Sequence, residues 1–573
     1  MEGQKTPYSY HTFMFPFLIH TKEKFFHEEH WQQEKIFETT FSELRQEELY
    51  WRYAAFEYFT ETARQILFGE GTKKFPVKRY HFAPNEKNIR GKFTYIIEKE
   101  GMGLFKLVVN DIQLLLFGDD MGLLTFELEN REHDQRNLAA VNCINDYGRR
   151  VNLAYLSNAR DENTNRIIHP ITADSIKLQS NGLVDCDCHY QPQDFLGKLA
   201  SSFDDDGLST NPAYVRGTLK MRYTAPHVRD LLSYPNDPNT RKLGPEDISP
   251  IIDDRMFVCC IVCDEKFGDE CRQYDMSGAS CLQSELQPHA GRGNYHYLTS
   301  CDYGDSDTNT SCKLYRLLFV EKDTSCQSRT MRRKLLERCI YDRWIDYGTL
   351  HGVSHHAIIC VTGSPAKYPP IQASVINPFL TIYTEIAKIV LLQRACILSL
   401  SNQVSSLAQL FYAESQKKQN SLNEIQSLQE RFVQLQSSLF LSEITTAEQG
   451  IEIYQMLENE MYVTENSKKL DAQLHNLYEL ANLQGEQAEE NRARKLERAV
   501  AAFGIPALFL TIVQTLYPMF FDRKLHGTAP WIWSSCLAGL CIAATCYLLV
   551  TLCRKSLKKQ KSNQGYFRKT KTL

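Results

Sequence analysis

Two long uncharged runs near the C-terminus constrain this chain more than any other feature. Residues 499–521 and 531–553 contain no Asp, Glu, Lys or Arg, and the short polar segment 522–530 separates them. Each run is close to the roughly 20 residues that a helix needs to cross a bilayer. A backbone in lipid must satisfy its own hydrogen bonds, which favours a helix for each run. We therefore predict a two-helix membrane hairpin that follows a large polar body.

Small and polar residues recur along the first run at steps of three or four, which places them on one helical face. They are Gly504, Ala507, Thr511, Gln514 and Pro518. A polar face inside a bilayer is typical of a helix–helix contact or a water-filled path. We interpret it as a candidate pore lining; the alternative is a pair of helices that only dimerise.

Basic residues predict the orientation of the hairpin. The tail 554–573 carries Lys and Arg without a single acid, and basic residues also precede the first run, whereas the loop 522–530 has only Arg523 and Lys524. The positive-inside bias therefore places both termini in the cytoplasm of a multi-pass protein of the inner (cell) membrane. The tail would clamp lipid headgroups or serve only as an orientation signal.

The remaining composition excludes several classes of function. The net charge of −4 shows no overall basic field of the kind that binds nucleic acid. The chain has 18 cysteines, but a cytoplasmic body would keep its thiols reduced, so no disulfide framework is predicted. Cys260 and Cys263 fall inside an apolar strand, where two ligands for one zinc ion are poorly placed, so we predict buried thiols and no metal site. The common nucleotide-binding and catalytic motifs are missing, so no enzyme is predicted.

Hydrophobic periodicity predicts an α/β or α+β body followed by a long helical stalk. Predicted strands lie at 11–17, 93–97, 121–128, 256–263, 314–320 and 357–362, and a hairpin at 104–117 turns at Asn110 and Asp111. Predicted helices lie at 28–68, 132–147, 328–344, 377–411 and 421–440, and the last runs from about 467 into the membrane. The predicted boundaries are a cytoplasmic sensor domain 1–370, a stalk 371–498, membrane helices 499–521 and 531–553, an outer loop 522–530 and a tail 554–573.

This order of parts over residues 370–573 resembles the CorA-type divalent-cation channels. The resemblance implies that the first membrane helix of each subunit lines a central, usually pentameric, pore, and that a divalent cation such as magnesium permeates. The family carries Gly-Met-Asn at the outer end of that helix, where this chain has Tyr517, Pro518 and Met519. Near the inner mouth, Glu489, Glu490, Arg494 and Glu497 would meet permeating ions or form pairs between subunits.

A second resemblance lies in four short strings, at 11–17 (HTFMFPF), 144–150 (INDYGRR), 253–257 (DDRMF) and 392–398 (LQRACIL). They are similar to strings of the CorA-like proteins associated with type III CRISPR systems. That resemblance implies a membrane effector in antiviral defence, opened by a nucleotide second messenger that joins S-adenosylmethionine to AMP (SAM-AMP).

Phosphate and purine groups require arginine forks and aromatic faces. The residues that offer suitable donors are Arg149, Arg150, Arg255, His355, His356 and Arg394. Each of them would otherwise form an ion pair at the surface or between subunits. Three functions stay open at this point: a messenger-gated channel, a constitutive divalent-cation transporter, and a non-conducting membrane-anchored receptor.

Overall fold

The fold is taken from a computed structural model of the 573-residue chain. It describes residues 6–21, 26, 29–33, 46–68, 77–84, 89–118, 120–151, 173–181, 188–190, 225–233, 243, 247–252, 255–273, 310–322, 326–413, 418–441 and 443–521. The chain divides into two compact units, 1–407 with 427–474 and 408–426 with 475–573. The predicted outer loop, second membrane helix and basic tail lie outside the described residues.

One mixed sheet forms the core of the first unit. Its described strands are β1 Ser9–Ile19, β2 Trp31–Gln33, β3 Val77–Phe82, β4 Phe93–Lys99, β5 Gly103–Phe117, β6 Met121–Asn130, β7 Ser175–Ser180, β8 Cys188–Tyr190, β9 Ile248–Pro250, β10 Phe257–Cys263, β11 Ile340–Tyr341, β12 Leu350–Val353 and β13 Ala357–Thr362. The main strand order is β11-β12-β13-β10-β1-β6-β5-β4-β7-β8. Strands β10 and β13 are parallel, and the other described pairs are antiparallel.

Strand β1 lies at the centre of this sheet, between β6 and β10. Its aromatic residues Phe13, Phe15 and Phe17 are fully buried. Strands covered on both faces carry continuous apolar runs instead of alternating ones. This explains why the 11–17 string is apolar along most of its length.

Gly122 on β6 lies directly across from Phe17, and the Phe17 ring fills the space above it. A Cβ at this position would overlap that ring. We expect Gly122→Ala to lower the free energy of unfolding by about 1–3 kcal/mol, the usual cost of overpacking a core. Urea denaturation checks the value. The double variant Gly122→Ala, Phe17→Leu should be less destabilised than the sum of the two single variants, and strict additivity would contradict the steric explanation.

Eleven α-helices accompany the sheet in the described part of the chain. The described α-helices are α1 Gln46–Tyr58, α2 Glu61–Phe68, α3 Leu138–Gly148, α4 Pro226–Leu232, α5 Glu265–Gln273, α6 Thr310–Phe319, α7 Arg329–Cys339, α8 Thr384–Ala413, α9 Lys418–Leu439, α10 Glu448–Glu460 and α11 Val463–Phe521. Helices α3 and α7 begin at side-chain caps, because Asn137 accepts a hydrogen bond from the Ala140 N–H and Ser328 accepts one from the Met331 N–H. Two π-helical turns, Gln372–Ile376 and Phe379–Tyr383, lead into α8.

Helix α8 is the apolar core helix of the first unit. With the turns before it, the helix Gln372–Gln409 is the one helix among the described residues that is long and apolar enough to cross a membrane. Its most apolar stretch is, however, 72% buried inside the protein. Length and composition alone are therefore weak evidence for a membrane span here, because buried core helices meet the same criterion.

Helix α8 also carries buried charges that contact the sheet. The Glu385 carboxylate receives two hydrogen bonds from the Arg79 guanidinium, at 2.9 and 2.6 Å, and one from Lys388 Nζ at 2.7 Å. Lys388 Nζ also donates to Gln113 Oε1 at 2.8 Å. Since Arg79 lies on β3 and Gln113 on β5, this network joins the helix to two strands of the sheet.

Four predicted elements differ from the structure. The helix predicted at 328–344 ends at Cys339 and is followed directly by strand β11. The segment predicted as a strand at 314–320 is the helix Thr310–Phe319, since a short apolar run does not distinguish strand from helix. The predicted hairpin at 104–117 is a single strand, and Asn110 lies at a register shift in it. The predicted helix 28–68 contains strand β2 and the two helices α1 and α2.

The mixed α/β body itself is confirmed. The predicted helical seam at 421–440 corresponds to α9, and its residues Leu428, Phe432 and Leu435 are buried in the first unit. Helix α11 spans 59 residues and includes the whole predicted first membrane run. Tyr517, Pro518 and Met519 lie inside this helix, which ends at Phe521, and do not lie in a loop.

Candidate functional site

A cavity of about 250 Å³ in the first unit brings together five of the six predicted ligand-binding residues. Its polar lining consists of Arg149, Arg255, His355, His356 and Arg394. Its apolar lining consists of Pro16, Ile252, Met256, Phe257 and Leu391. None of these described lining residues is acidic. We call this cavity the cationic pocket.

The end of α3 sets the position of Arg149. The last residue of the helix is Gly148, and a Cβ there would lie 2.8 Å from Ile97 Cδ1 and 2.9 Å from Phe13 Cε2, so only glycine permits this close approach to the sheet. The next residue, Arg149, caps the helix and is almost fully buried. Its carbonyl accepts a hydrogen bond from the Met256 N–H at 2.7 Å.

Backbone pairing also places Arg255 beside Arg149. An isolated antiparallel bridge joins Arg150 to Arg255, immediately next to the hydrogen bond between Arg149 and Met256. Two segments that are about a hundred residues apart in the sequence thus each contribute an arginine to the same pocket.

Asp146 interacts unequally with the two neighbouring arginines. Arg150 Nη2 donates to Asp146 Oδ1 at 2.8 Å, whereas Arg149 Nη2 lies 3.9 Å from the same oxygen. Arg149 Nη2 instead donates to the Val320 carbonyl at 3.0 Å. Arg150 is buried and does not line the pocket. Its direct role in ligand binding stays a prediction, and in the structure its backbone pairs with that of Arg255, which lines the pocket.

The turn between β12 and β13 holds both histidines. Ser354 Oγ donates to the Leu318 carbonyl at 2.7 Å and accepts from the N–H groups of His356 and Ala357, each at 3.1 Å. These bonds fix the turn from inside the protein. His355 and His356 consequently face the pocket from a rigid support.

Arg394 approaches from α8 and contacts His355. Its Nη2 is hydrogen-bonded to His355 Nε2, and its Nη1 donates to the His355 carbonyl at 3.4 Å. On its other side His355 Nδ1 lies 2.9 Å from the Glu460 carbonyl, an acceptor only. Nδ1 therefore carries the proton, and Nε2 is the atom that accepts from Arg394.

This arrangement is suited to an anion. Three guanidinium groups supply planar forks that match phosphate or carboxylate geometry, and the apolar lining keeps the local dielectric low. A cavity of about 250 Å³ is smaller than the roughly 300–1,000 Å³ of complete sites for drug-sized ligands. It accommodates a phosphate with part of its sugar, while the rest of a dinucleotide would extend outwards.

Sequence reasoning identified the charged half of the pocket and missed its apolar half. Leu391 lies one helical turn before Arg394, and Met256 and Phe257 follow Arg255 directly. Residues three apart on a helix share a face, so the position of Arg394 could have predicted that Leu391 lies beside it in the pocket. No comparable signal marked Pro16, because its strand pairs with residues that are distant in sequence.

The other predicted site residues lie on α11. Glu490, Arg494 and Glu497 are exposed, and Arg494 forms an ion pair with Glu490 one turn away. Gly504 is half-buried and Thr511 exposed, whereas the side chains of Glu489, Ala507, Gln514, Tyr517, Pro518 and Met519 lie outside the described residues. Within the part of the chain that is described, no group of three or more His, Cys, Asp and Glu residues is placed to hold a metal ion.

Comparison of the chain with protein-family models, with curated proteins and with solved structures finds no match.

Proposed function

We propose that this protein is an oligomeric, CorA-like membrane effector of type III CRISPR antiviral defence, gated by a nucleotide second messenger of the SAM-AMP type. The observation that carries the proposal is the cationic pocket, with three arginines, two histidines and no acid among its described lining residues. The predicted membrane runs and the resemblances in the sequence supply the channel part of the proposal. By the resemblance to the CorA-type channels the assembly is a pentamer, and by the positive-inside distribution of its basic residues both termini lie on the cytoplasmic side of the inner membrane.

A short chain of contacts leads from the cationic pocket to the start of α11. Arg394 contacts His355, and His355 contacts the carbonyl of Glu460, the last residue of α10. The His355 ring also lies 6.1 Å from the ring of Tyr462, centroid to centroid. Helix α11 begins at the next residue, Val463.

Tyr462 is a natural hinge in this connection. Its backbone is left-handed, with φ at 54°, a conformation that is costly for a bulky residue. An anion that draws the Arg394 fork away from His355 would release the contact that holds Glu460 beside this strained residue. In the proposal, the bound messenger thereby shifts α11 between a closed and an open arrangement.

Ion flux from liposomes that contain the purified protein tests the proposal. We expect flux only when SAM-AMP is added on the side of the soluble unit. Thr511→Leu and Gln514→Leu should each change the conductance, because both residues lie on the polar face of the first membrane run. Val513→Leu, on another face, is the matched control and should conduct normally.

Two other outcomes would contradict the proposal. Magnesium-dependent flux that ignores the nucleotide would favour a constitutive divalent-cation transporter. Complete absence of flux, with SAM-AMP bound to a correctly inserted protein, would favour a membrane-anchored receptor that does not conduct.

A further inference from the structure

A second cavity of about 640 Å³ lies in the first unit, and the proposed function makes no use of it. Its volume falls in the roughly 300–1,000 Å³ range of small-molecule sites. Three large aromatic side chains at its rim are strongly exposed: Trp344 at 39%, Tyr347 at 81% and Tyr368 at 48%. We call this cavity the aromatic cleft.

A tight turn presents two of the aromatic rings. The 3₁₀ turn Ile345–Tyr347 ends at Gly348, whose φ of +70° suits glycine. Trp344 precedes this turn and Tyr347 is its last residue, and their ring centroids are 6.3 Å apart. The π-helical turn Gln372–Ile376 contributes Ser374 and Val375 to the lining.

The charges around the aromatic cleft are mainly negative. Glu265, Asp269 and Asp346 line it, with Arg272 as the one basic residue in the described lining. Arg272 is paired with Asp269 at 2.8 Å, and Glu265 is paired with Lys367 at 2.7 Å. Asp346 forms no ion pair with any described residue, so the cleft keeps one uncompensated carboxylate.

Cations of the protein itself already contact these rings. The Arg343 guanidinium lies 6.0 Å from the centre of the Trp344 ring, and Lys367 Nζ lies 5.4 Å from that of Tyr368. Acidic side chains neutralise both cations: Arg343 pairs with Glu448 and Glu452, and Lys367 pairs with Glu265. The ring of Tyr347 faces no such cation among the described residues.

His351 lines the buried end of the cleft. Its ring packs 6.2 Å from Phe379 and 5.6 Å from Tyr383, between centroids, and neither ring nitrogen has a hydrogen-bond partner in the described structure. Burial lowers the pKa of His351 to about 4. The imidazole is therefore neutral at physiological pH and adds no repulsion toward a cation.

We propose that the aromatic cleft binds a small organic cation of the quaternary-ammonium class. Aromatic faces attract such cations through their quadrupole, and the Asp346 carboxylate supplies the opposite charge. This site does not depend on messenger binding in the cationic pocket.

Calorimetric titration of the full-length protein in detergent tests the site with matched probes. Choline and benzyltrimethylammonium represent the cation, 3,3-dimethylbutan-1-ol is the neutral isostere of choline, and adenosine represents a neutral aromatic ligand. We expect choline to bind about tenfold more tightly than its isostere, the effect of a cation–π contact with a carboxylate nearby. Asp346→Asn and Tyr347→Ala should each weaken choline binding by about fivefold or more.

Controls show whether a loss of choline binding comes from the aromatic cleft itself, from misfolding or from the cationic pocket. Asp346 and Tyr347 are exposed, so both variants should keep the thermal midpoint of the parent. Tyr50→Ala removes another exposed tyrosine, on α1, and Arg394→Ala alters the cationic pocket; neither should change choline binding. Equal binding of choline and its isostere, binding of adenosine alone, or failure of both cations to bind would overturn the proposal.

Discussion

Glu385→Ala should lower the free energy of unfolding by about 3–5 kcal/mol, because it leaves two buried cations without their shared anion. Arg79 and Lys388 are both nearly inaccessible, and each donates to the Glu385 carboxylate. Burial by itself raises the pKa of Glu385, but the charges and hydrogen bonds of Arg79 and Lys388 outweigh it and lower that pKa to about 2. Urea denaturation of the purified protein at neutral pH measures the loss.

The sign of the pH dependence follows from that lowered pKa. The unfolded carboxyl titrates near 4.5 and the folded one near 2, so the stabilisation is complete above about pH 4.5 and is lost as the pH falls through 2. The free energy of unfolding of Glu385→Ala should therefore differ from that of the parent most at neutral pH and least in strong acid.

Two controls separate the effect of unpaired buried charges from the effect of simply losing a glutamate side chain. Glu424→Ala removes an exposed glutamate from α9 and should change stability by no more than about 0.5 kcal/mol. Replacing the three charged members together, with Arg79→Met, Glu385→Leu and Lys388→Met, should recover most of the loss, since an apolar cluster needs no charge partner. A triple variant with a lower free energy of unfolding than Glu385→Ala would contradict this explanation.

Arg394→Ala should weaken the binding of AMP about 10- to 100-fold, the value of one or two charge-assisted hydrogen bonds. Arg394 is the only arginine of the described pocket lining that is carried by α8, and it contacts His355 directly. Isothermal titration with AMP and with adenosine measures the effect. AMP should bind the parent protein and adenosine should not, because the pocket recognises the phosphate group.

Two substitutions serve as controls for the fork and for general charge. Arg394→Lys keeps the positive charge but loses the planar fork. Its affinity for AMP should therefore lie between those of the parent and of Arg394→Ala. Arg272→Ala removes an arginine that lines the aromatic cleft and should leave AMP binding unchanged. Equal AMP affinity of the parent and Arg394→Ala, with both correctly folded, would remove the cationic pocket from the proposed function.

Elements with a strong local signal were predictable from the sequence. Strand β13 occupies the predicted residues, and the predicted strand at 256–263 corresponds to β10. Both are continuous β-branched and apolar runs bounded by polar residues. The strand predicted at 314–320 failed for the opposite reason: the short run was assigned by its apolar content, although Leu314, Leu317 and Leu318 follow the i, i+3, i+4 spacing of a helix.

The chemistry of the ligand-binding candidates was also readable from the sequence, because arginine and histidine are donors wherever they stand. Their convergence on one pocket could not be predicted from the sequence. Arg149, Arg255, His355 and Arg394 lie on four separate segments, and the sheet pairing, the Ser354 turn and the packing of α8 bring them together.

By itself, then, the sequence determined which stretches are apolar, which are charged and which period each follows, since these depend on neighbouring residues alone. Only the tertiary structure decided that the apolar segment 384–413 is a core helix with buried charges, that 103–117 is one strand, and that the cationic pocket exists. Those outcomes depend on contacts between residues far apart in the chain, whose free energy is absent from any local pattern.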